Sequence, residues 1–149
     1  MNTVNVSTEL SLSSYQALAE FRYQIRRFLH FSDQLARSAG VEPQQHQLLL
    51  AVKGLPSDRK ATIGELAERL QIQHHSTVEL VNRLVEHGLV VRQRDPEDSR
   101  QVLVLLTEEG EEVLRRLSII ALSELDHTGP MLARMLSKLV VQEKKQRTS

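Results

Sequence analysis

Residues 62–107 read TIGELAERLQIQHHSTVELVNRLVEHGLVVRQRDPEDSRQVLVLLT, and this stretch decides the fold. Thr62, followed three residues later by Glu65, has the form of a capping box that opens a short helix with Leu66, Ala67 and Leu70 inward. Only Gln71, Ile72 and Gln73 separate it from a second helix, expected over 74–87 and stopped by Gly88. Two short helices joined this tightly must cross steeply, as in a helix-turn-helix. The Val- and Leu-rich runs 89–94 and 101–106 then read as strands. The polar turn between them, Asp95-Pro96-Glu97-Asp98-Ser99-Arg100, is too long for a two-residue hairpin and gives the pair a charged tip. A helix-turn-helix followed by a hairpin is a winged helix-turn-helix, in which one helix fits the DNA major groove and the hairpin reaches an adjacent minor groove.

Outward from this centre the chain is helical. Residues 13–39 run without Gly or Pro, and Leu18, Phe21, Ile25, Phe28, Ser32, Leu35 and Ala39 recur at alternating spacings of three and four, a heptad seam. Tyr15, Leu29 and Ala36 flank that seam, which leaves more apolar surface than one neighbour covers. Either the helix is central to the core or it also packs on a second subunit. Gly40 caps its end, and Pro43 opens a second helix through Lys53. Thr107 caps a long helix whose first turns carry Glu108, Glu109, Glu111 and Glu112, where the helix dipole favours acid. Asp126-His127-Thr128-Gly129-Pro130 is expected to break it, with a last helix over 131–141. Residues 1–12 read as a flexible arm and 143–149 as a polar tail, around a single domain over 13–142. The fold class is mainly α with a small β-hairpin wing.

Composition narrows the chemistry. The 149 residues carry 19 basic and 19 acidic side chains and no cysteine. The missing thiols exclude a disulfide scaffold, a thiolate zinc site, an iron–sulfur cluster and a thiol redox switch. The aromatic residues Tyr15, Phe21, Tyr23, Phe28 and Phe31 all lie near the N-terminus, so a base-stacking RNA-binding sheet is excluded. Zero net charge argues against a polybasic tail or a membrane-surface protein, but leaves room for a local basic patch. No apolar run approaches the ~20 residues of a spanning helix, and the expectation is a soluble, cytoplasmic protein. The chain has no P-loop, G-x-G-x-x-G, G-x-S-x-G or H-E-x-x-H, so no enzyme and no cofactor is expected. His74-His75-Ser76 forms no nucleophile set, because adjacent helix residues point in different directions.

The second helix of the pair has two faces. On a wheel of ~100° steps, Thr77, Leu80, Val81, Leu84 and Gly88 fall on the packing side. His75, Val78, Glu79, Asn82 and Glu86 fall opposite, with Ser76 and Arg83 alongside. Asn82 can pair bidentately with adenine and Val78 can touch a thymine methyl. Ser76 and the first-turn N–H groups can hold a phosphate. Glu79 and Glu86 are repelled by phosphates and fit only by accepting from cytosine or pairing with an arginine. In the hairpin, Arg92, Arg94 and Arg100 stand among Asp95, Glu97 and Asp98. An arginine there can enter a narrow minor groove, where negative potential is focused, and the acids would orient it. An ordinary solvated helix face and a salt-bridged hairpin are the plainer readings of each residue taken singly.

Ile63-Gly64-Glu65-Leu66-Ala67, Leu80-Val81-Asn82-Arg83-Leu84, Gly88-Leu89-Val90, the 95–100 turn and Leu106-Thr107-Glu108-Glu109-Gly110 together resemble the MarR family of bacterial winged helix-turn-helix transcriptional regulators. The resemblance covers nearly the whole chain. It implies a cytoplasmic homodimer on double-stranded DNA with a pseudo-palindromic operator, acting as a repressor or, less often, an activator. Residues 13–39 and 107–142 would be dimerisation helices, with Leu18, Phe21, Ile25, Leu117, Ile120, Leu132 and Leu136 at the dimer interface. Residues 43–106 would be the DNA-binding lobe. His74, His75, Ser76, Val78, Glu79, Asn82 and Arg83 would form the recognition helix, and Arg92, Arg94, Asp98 and Arg100 the wing, with Arg100 at its tip and Asp98 positioning the loop. A small, aromatic effector would sit in a crevice between the two regions, with Tyr23, Phe28, His30 and His46 as candidate liners.

Two positions depart from that family's pattern. Gln73 stands where relatives often carry a capping Asp that can also pair with the wing arginine, and glutamine is a poor cap. Glu79 stands where relatives often carry a basic residue, so base preference there should differ. Thiol-based peroxide sensing, known in the family, is excluded by the absence of cysteine. A metal-responsive regulator is an alternative reading, since six histidines are present and His75 and Glu79 are one turn apart, but no tight ligand motif appears and no metal site is expected. A dimerisation module that kept the winged fold without binding DNA is another.

Overall fold

The computed structural model describes residues 9–147, with side chains through Val140. Its elements in order are α1 (Leu12–Ser38), α2 (Pro43–Lys53), α3 (Ile63–Leu70), α4 (His74–Glu86), β1 (Val90–Arg94), β2 (Val102–Leu106) and α5 (Glu108–Arg147). They form two compact units, residues 32–121 and residues 9–31 with 122–147. The mainly helical architecture with a single antiparallel hairpin is the winged-helix class that the sequence implies.

Residues 32–121 hold the core. Fourteen apolar side chains are buried, from Leu35 and Ala36 through Leu48, Leu49, Leu66, Leu80, Val81 and Leu84 to Val90, Val104, Leu114 and Leu117. α2 packs on α3 and α4, and α3 on α4. Thr62 caps α3 by accepting from the Glu65 N–H at 3.2 Å. The reciprocal half of a capping box is not made, because the Glu65 carboxylate turns to Arg69 at 3.1 Å and to Arg59 at 3.8 Å. α3 ends on Gln71 in the left-handed region, φ 54°, where the N–H groups of Gln71 and Ile72 return to the Glu68 and Ala67 carbonyls. This is a Schellman-type stop without a glycine, and it turns the chain sharply into α4. Gly88, with φ 73°, closes α4 in the same way.

The hairpin pairs Val90 with Leu106 and Arg94 with Val102. Alternation places Val90, Arg92 and Val104 on one face, and Val90 and Val104 are fully buried there. Its base is fixed at two points. Val104 N–H donates to the Ala61 carbonyl at 2.9 Å. Thr107, just before α5, donates through Oγ1 to the Gly88 carbonyl at 2.7 Å and accepts from the Gly110 N–H at 3.1 Å. Thr107 N–H also reaches the Leu89 carbonyl at 3.1 Å. A Cβ on Gly110 would lie 2.1 Å from that same Leu89 oxygen, so only glycine lets the helix start so close to the strand.

Residues 9–31 and 122–147 contain the N-terminal part of α1 and the C-terminal part of α5. None of the apolar side chains described in this unit is buried in the single chain. Leu12, Tyr15, Leu18, Leu29, Leu122 and Leu136 are about half exposed or more.

Several boundaries differ from the sequence reading. α1 begins at Leu12, inside the expected arm, and ends at Ser38; residues 1–8 of that arm lie outside the described residues. α4 ends one residue early, at Glu86, and each strand is one residue shorter. The expected break at 126–130 does not occur: α5 is one helix of 40 residues with Pro130 inside it. Proline removes one N–H donor and costs about 3 kcal/mol in a helix interior. That cost is local, and the turn before it is tied by Oγ1 of Thr128 donating to the Glu124 carbonyl at 3.1 Å. Nδ1 of His127 lies 2.9 Å from the Ser123 carbonyl. Residues 143–147 of the expected tail are helical, while 148 and 149 lie outside the described residues.

Candidate nucleic-acid interface

α4 divides as its sequence dictates. Thr77, Leu80, Val81 and Leu84 are buried against the core, and Thr77 is tied down by Oγ1 donating to the Gln73 carbonyl at 3.0 Å. His74, His75, Glu79, Asn82, Arg83 and Glu86 are exposed, whereas Ser76 and Val78 are half-buried. Gln73 takes the cap position without a side-chain hydrogen bond, so the first-turn donors of α4 lack that partner.

The wing is built from charges. Buried Asp95 at the end of β1 accepts from Lys60 Nζ at 2.8 Å, and Glu97 from the same ammonium at 2.7 Å. Asp95 also accepts from the Glu97 N–H at 2.9 Å. These bonds hold the Lys60 ammonium above its ordinary range and the Asp95 carboxyl below its own. The clip fixes the start of the tip to the segment before α3. Sequence reading had no signal for it, because Lys60 and Asp95 are 35 residues apart.

At the tip, Asp98 and Arg100 form a fork. Nε of Arg100 donates to Asp98 Oδ1 at 3.1 Å, Nη2 to Oδ2 at 3.3 Å, and the Arg100 N–H to Oδ1 at 3.1 Å. The guanidinium holds the Asp98 carboxyl below its usual range. Arg100 is nevertheless 88% exposed, so the acid orients it without covering it. Arg94 is exposed on the same hairpin. Arg92 behaves differently: its Nη2 donates to Asn82 Oδ1, joining wing to helix. The sequence reading set these two residues in separate groups, and the structure makes them one.

The other expected sites fare unevenly. His46 on α2 is 3% exposed and its Nδ1 has no hydrogen-bond partner, and burial pushes its pKa down. Tyr23, Phe28 and His30 belong to the other unit; Tyr23 is half exposed with the Arg27 guanidinium 5.8 Å from its ring centre. A cavity of about 540 Å³ lies between α2 and the start of α5, lined by Leu50, Lys53, Glu111, Leu114, Arg115 and neighbours, and by none of the four expected liners. Among the expected interface residues, Leu18, Ile120 and Leu136 are about half exposed and Phe21, Ile25 and Leu132 partly so. Leu117 is a correction: at 2% exposure it is core of residues 32–121 and has no surface to offer a partner. Among the described residues no three His, Asp or Glu side chains gather as a metal site, and no helix is long and apolar enough to cross a membrane.

Residues 39–101, from the end of α1 through the wing tip, match the model of the MarR family. The chain carries a MarR-family winged-helix segment. A Thauera aromatica protein, provisionally named a transcriptional regulatory protein for the hcr operon, is 30% identical to it over 96 residues, which is 64% of this chain and 56% of the relative. The organic hydroperoxide resistance transcriptional regulator of Bacillus subtilis is 34% identical over 68 residues, 46% of this chain and 44% of the relative. The chain thus spans about half the length of the curated relatives it matches. Among solved structures, AbsC, a MarR family transcriptional regulator from Streptomyces coelicolor, superposes with a TM-score of 0.71 at 16% identity, covering 96% of this chain and 100% of that one. The fold that carries the MarR-family segment is therefore the fold of that regulator.

Proposed function

We propose that the chain is a sequence-specific DNA-binding transcriptional regulator, a homodimeric repressor on a pseudo-palindromic operator, released by a small ligand. The observation that carries this reading is the pairing of an exposed polar helix face, His75 to Arg83, with an exposed arginine that Asp98 orients at the wing tip. α4 would lie in the major groove and Arg100 in the flanking minor groove. The MarR-family match over this same segment supports it.

The second copy is argued from burial. In the unit of residues 9–31 and 122–147, Leu12, Leu18, Leu122 and Leu136 are exposed on long helices. Apolar surface of that extent is what a dimer interface covers. Two recognition helices related by a twofold axis would then read half-sites ~34–36 Å apart, or a multiple. The cavity beside α2 falls within the size range of small-molecule sites and supports the effector. A ligand binding the DNA-free form ~100-fold tighter would shift DNA affinity by about 2.7 kcal/mol. A thiol-based signal is closed to a chain without cysteine.

Selection from a random duplex pool, followed by mobility shift against salt, tests the reading. Enrichment of an inverted repeat is expected. Arg100→Ala should weaken binding to it by about 1–3 kcal/mol while leaving the dimer intact. Unchanged affinity would remove the wing assignment, and absence of any enriched sequence would remove DNA binding.

A further inference from the structure

We propose that Lys60 is a positioning residue for the wing: it ties the tip turn to the segment before α3, and through that tie it sets where Arg100 meets DNA without itself touching the duplex. The inference rests on the DNA-binding reading above and adds a residue to it. The Lys60 ammonium donates to Asp95 Oδ2 at 2.8 Å and to Glu97 Oε2 at 2.7 Å. The fork between Arg100 and Asp98 lies wholly within the tip. It orients the guanidinium relative to the turn, but it does not fix where the turn stands.

The turn is one body. Asp95 N–H donates to the Gln101 carbonyl at 2.9 Å and Gln101 N–H to the Asp98 carbonyl at 3.0 Å, so the loop closes on itself. Asp95 Oδ1 accepts from the Glu97 N–H at 2.9 Å, and Pro96 between them fixes one backbone angle. Arg100 belongs to that body. The base of the hairpin is held by buried Val90 and Val104 and by the bond from Val104 N–H to the Ala61 carbonyl. Gln101 lies three residues further out, about 10 Å, past the exposed Arg94 and Val102. Among the described residues, the two bonds from Lys60 are the only side-chain hydrogen bonds that join residues 95–101 to another part of the chain. A hairpin held at its base alone can swing at its outer end, and a second attachment at the tip removes that swing. The reference point is α4, because the Lys60 carbonyl accepts from the N–H of Thr62, Thr62 caps α3, and α3 packs on α4.

A phosphate contact is the other role open to a lysine in this place, and its surroundings oppose it. An ammonium has three donors, and carboxylates take two of those on Lys60. One positive charge then stands beside two negative ones, a balance that repels a phosphate. Glu97 is itself an exposed acid on the element that would enter a groove, where it works against contact with a polyanion. Its bond to Lys60 gives it a use there. The two roles therefore differ in sign. If bulk attraction governs, removing Glu97 strengthens DNA binding; if the clip governs, removing it weakens binding.

The test is a double-mutant cycle on the duplex that the full chain enriches from a random pool, read by fluorescence anisotropy. Lys60→Met removes the ammonium and keeps a stem of similar length. It should lower affinity for that duplex about tenfold and leave affinity for an unrelated duplex nearly unchanged. In an Arg100→Ala background the same substitution should cost less than about twofold, because the residue that the clip positions is gone. Glu97→Ala should also weaken binding, although it removes a negative charge. A loss of equal size in both backgrounds, as from a direct contact or a general loosening of the fold, overturns the proposal. So does unchanged affinity in Lys60→Met, and so does Glu97→Ala binding as tightly as the wild type or more so. In each of these cases Arg100→Ala still weakens binding and the DNA-binding reading stands. If Arg100→Ala has no effect, or no sequence is enriched, that reading fails and the proposal with it. Circular dichroism and size-exclusion chromatography check that the variants fold and assemble as the wild type does. Should Lys60→Met not fold, Glu97→Ala takes its place in the cycle with the same expected pattern, since it leaves buried Asp95 paired with Lys60.

Discussion

Replacing Gly110 with alanine sets two effects of opposite sign against each other. Gly110 sits in the first turn of α5, and glycine in a helix is about 1 kcal/mol worse than alanine. On propensity alone Gly110→Ala should stabilise. The structure says otherwise, because the new Cβ would stand 2.1 Å from the Leu89 carbonyl oxygen and 3.0 Å from its carbon. Ordinary contact begins at 3.4 Å, so the strand and the helix start must separate by about 1 Å. The obstacle is backbone, which cannot swing aside as a side chain does. Overpacking of this kind costs about 1–3 kcal/mol. The same carbonyl accepts the Thr107 N–H, and Thr107 in turn bonds the Gly88 carbonyl. Parting the elements loosens those bonds as well, each worth about 1 kcal/mol. The net expectation is a loss of about 1–3 kcal/mol after subtracting the propensity gain.

The assay is urea denaturation followed by circular dichroism, with protomer concentration held fixed because an assembling protein's stability depends on it. Thermal melting should fall by about 2–4 °C for each kcal/mol lost. Gly64→Ala is the control, since a Cβ at Gly64 in α3 meets nothing within 4 Å. It should be neutral or stabilise by up to about 1 kcal/mol. If Gly110→Ala is as stable as the wild type, or more so, the close approach of α5 to Leu89 is not the reason for a glycine there.

Gln71→Gly should stabilise by about 0.5–1 kcal/mol by relieving a left-handed residue, even though it removes the exposed bond from Nε2 to the Glu68 carbonyl; a lower urea midpoint would contradict this. His46 is held neutral by burial, so the unfolded chain takes up its proton first, and stability should fall as pH drops below about 6.5. His46→Leu should flatten that limb, and an unchanged slope would refute the assignment. Glu112 is lowered to about 2 by its bonds to Arg115 and Arg116, so its contribution is present above its ordinary value of 4.5 and lost as pH falls toward 2; Glu112→Gln should flatten stability across that window and nowhere else. Under the proposed function, Arg83, Arg94 and Arg100 are the reading head's exposed cations that displace counterions from the duplex. A dimer using all of them should show a slope of about −5 in log affinity against log salt, measured by fluorescence anisotropy. A slope near zero or near −10 would contradict that count.

The centre of the fold is legible where local chemistry and the hydrophobic pattern agree. Pro43 at a first-turn position and Lys53 before Gly54 fix α2 at both ends. Gly88 fixes the end of α4 to within one residue. The reading fails where one residue type argues for a feature that its context overrules. Pro130 reads as a break, yet the helix runs on to Arg147. Glu65 reads as half of a capping box, yet two arginines claim its carboxylate. Leu117 stands with Ile120 at the interface that the resemblance implies, and only burial separates the core position from the open one. In the candidate site, the faces of α4 are legible because a helical wheel is local geometry. The Lys60 clip on Asp95 and the Arg92–Asn82 pair are not, since no local pattern links residues on separate elements.

Zero net charge reads differently once these pairs are known. A chain with 19 charges of each sign looks indifferent to a polyanion. Much of the acid near the reading head, however, is already spoken for. Asp95 and Glu97 are bound to Lys60, Glu65 to Arg69, and Asp98 sits behind the exposed Arg100. Each such pair cancels at a distance, beyond the ~8–10 Å over which salt leaves charges visible. At contact it does not cancel, because Arg100 is far more exposed than its partner Asp98. A surface of this kind attracts a duplex weakly from afar and discriminates at contact. Discrimination must then come from which donors and acceptors face the duplex, and on α4 these include the Asn82 amide, whose oxygen also accepts from Arg92 of the wing.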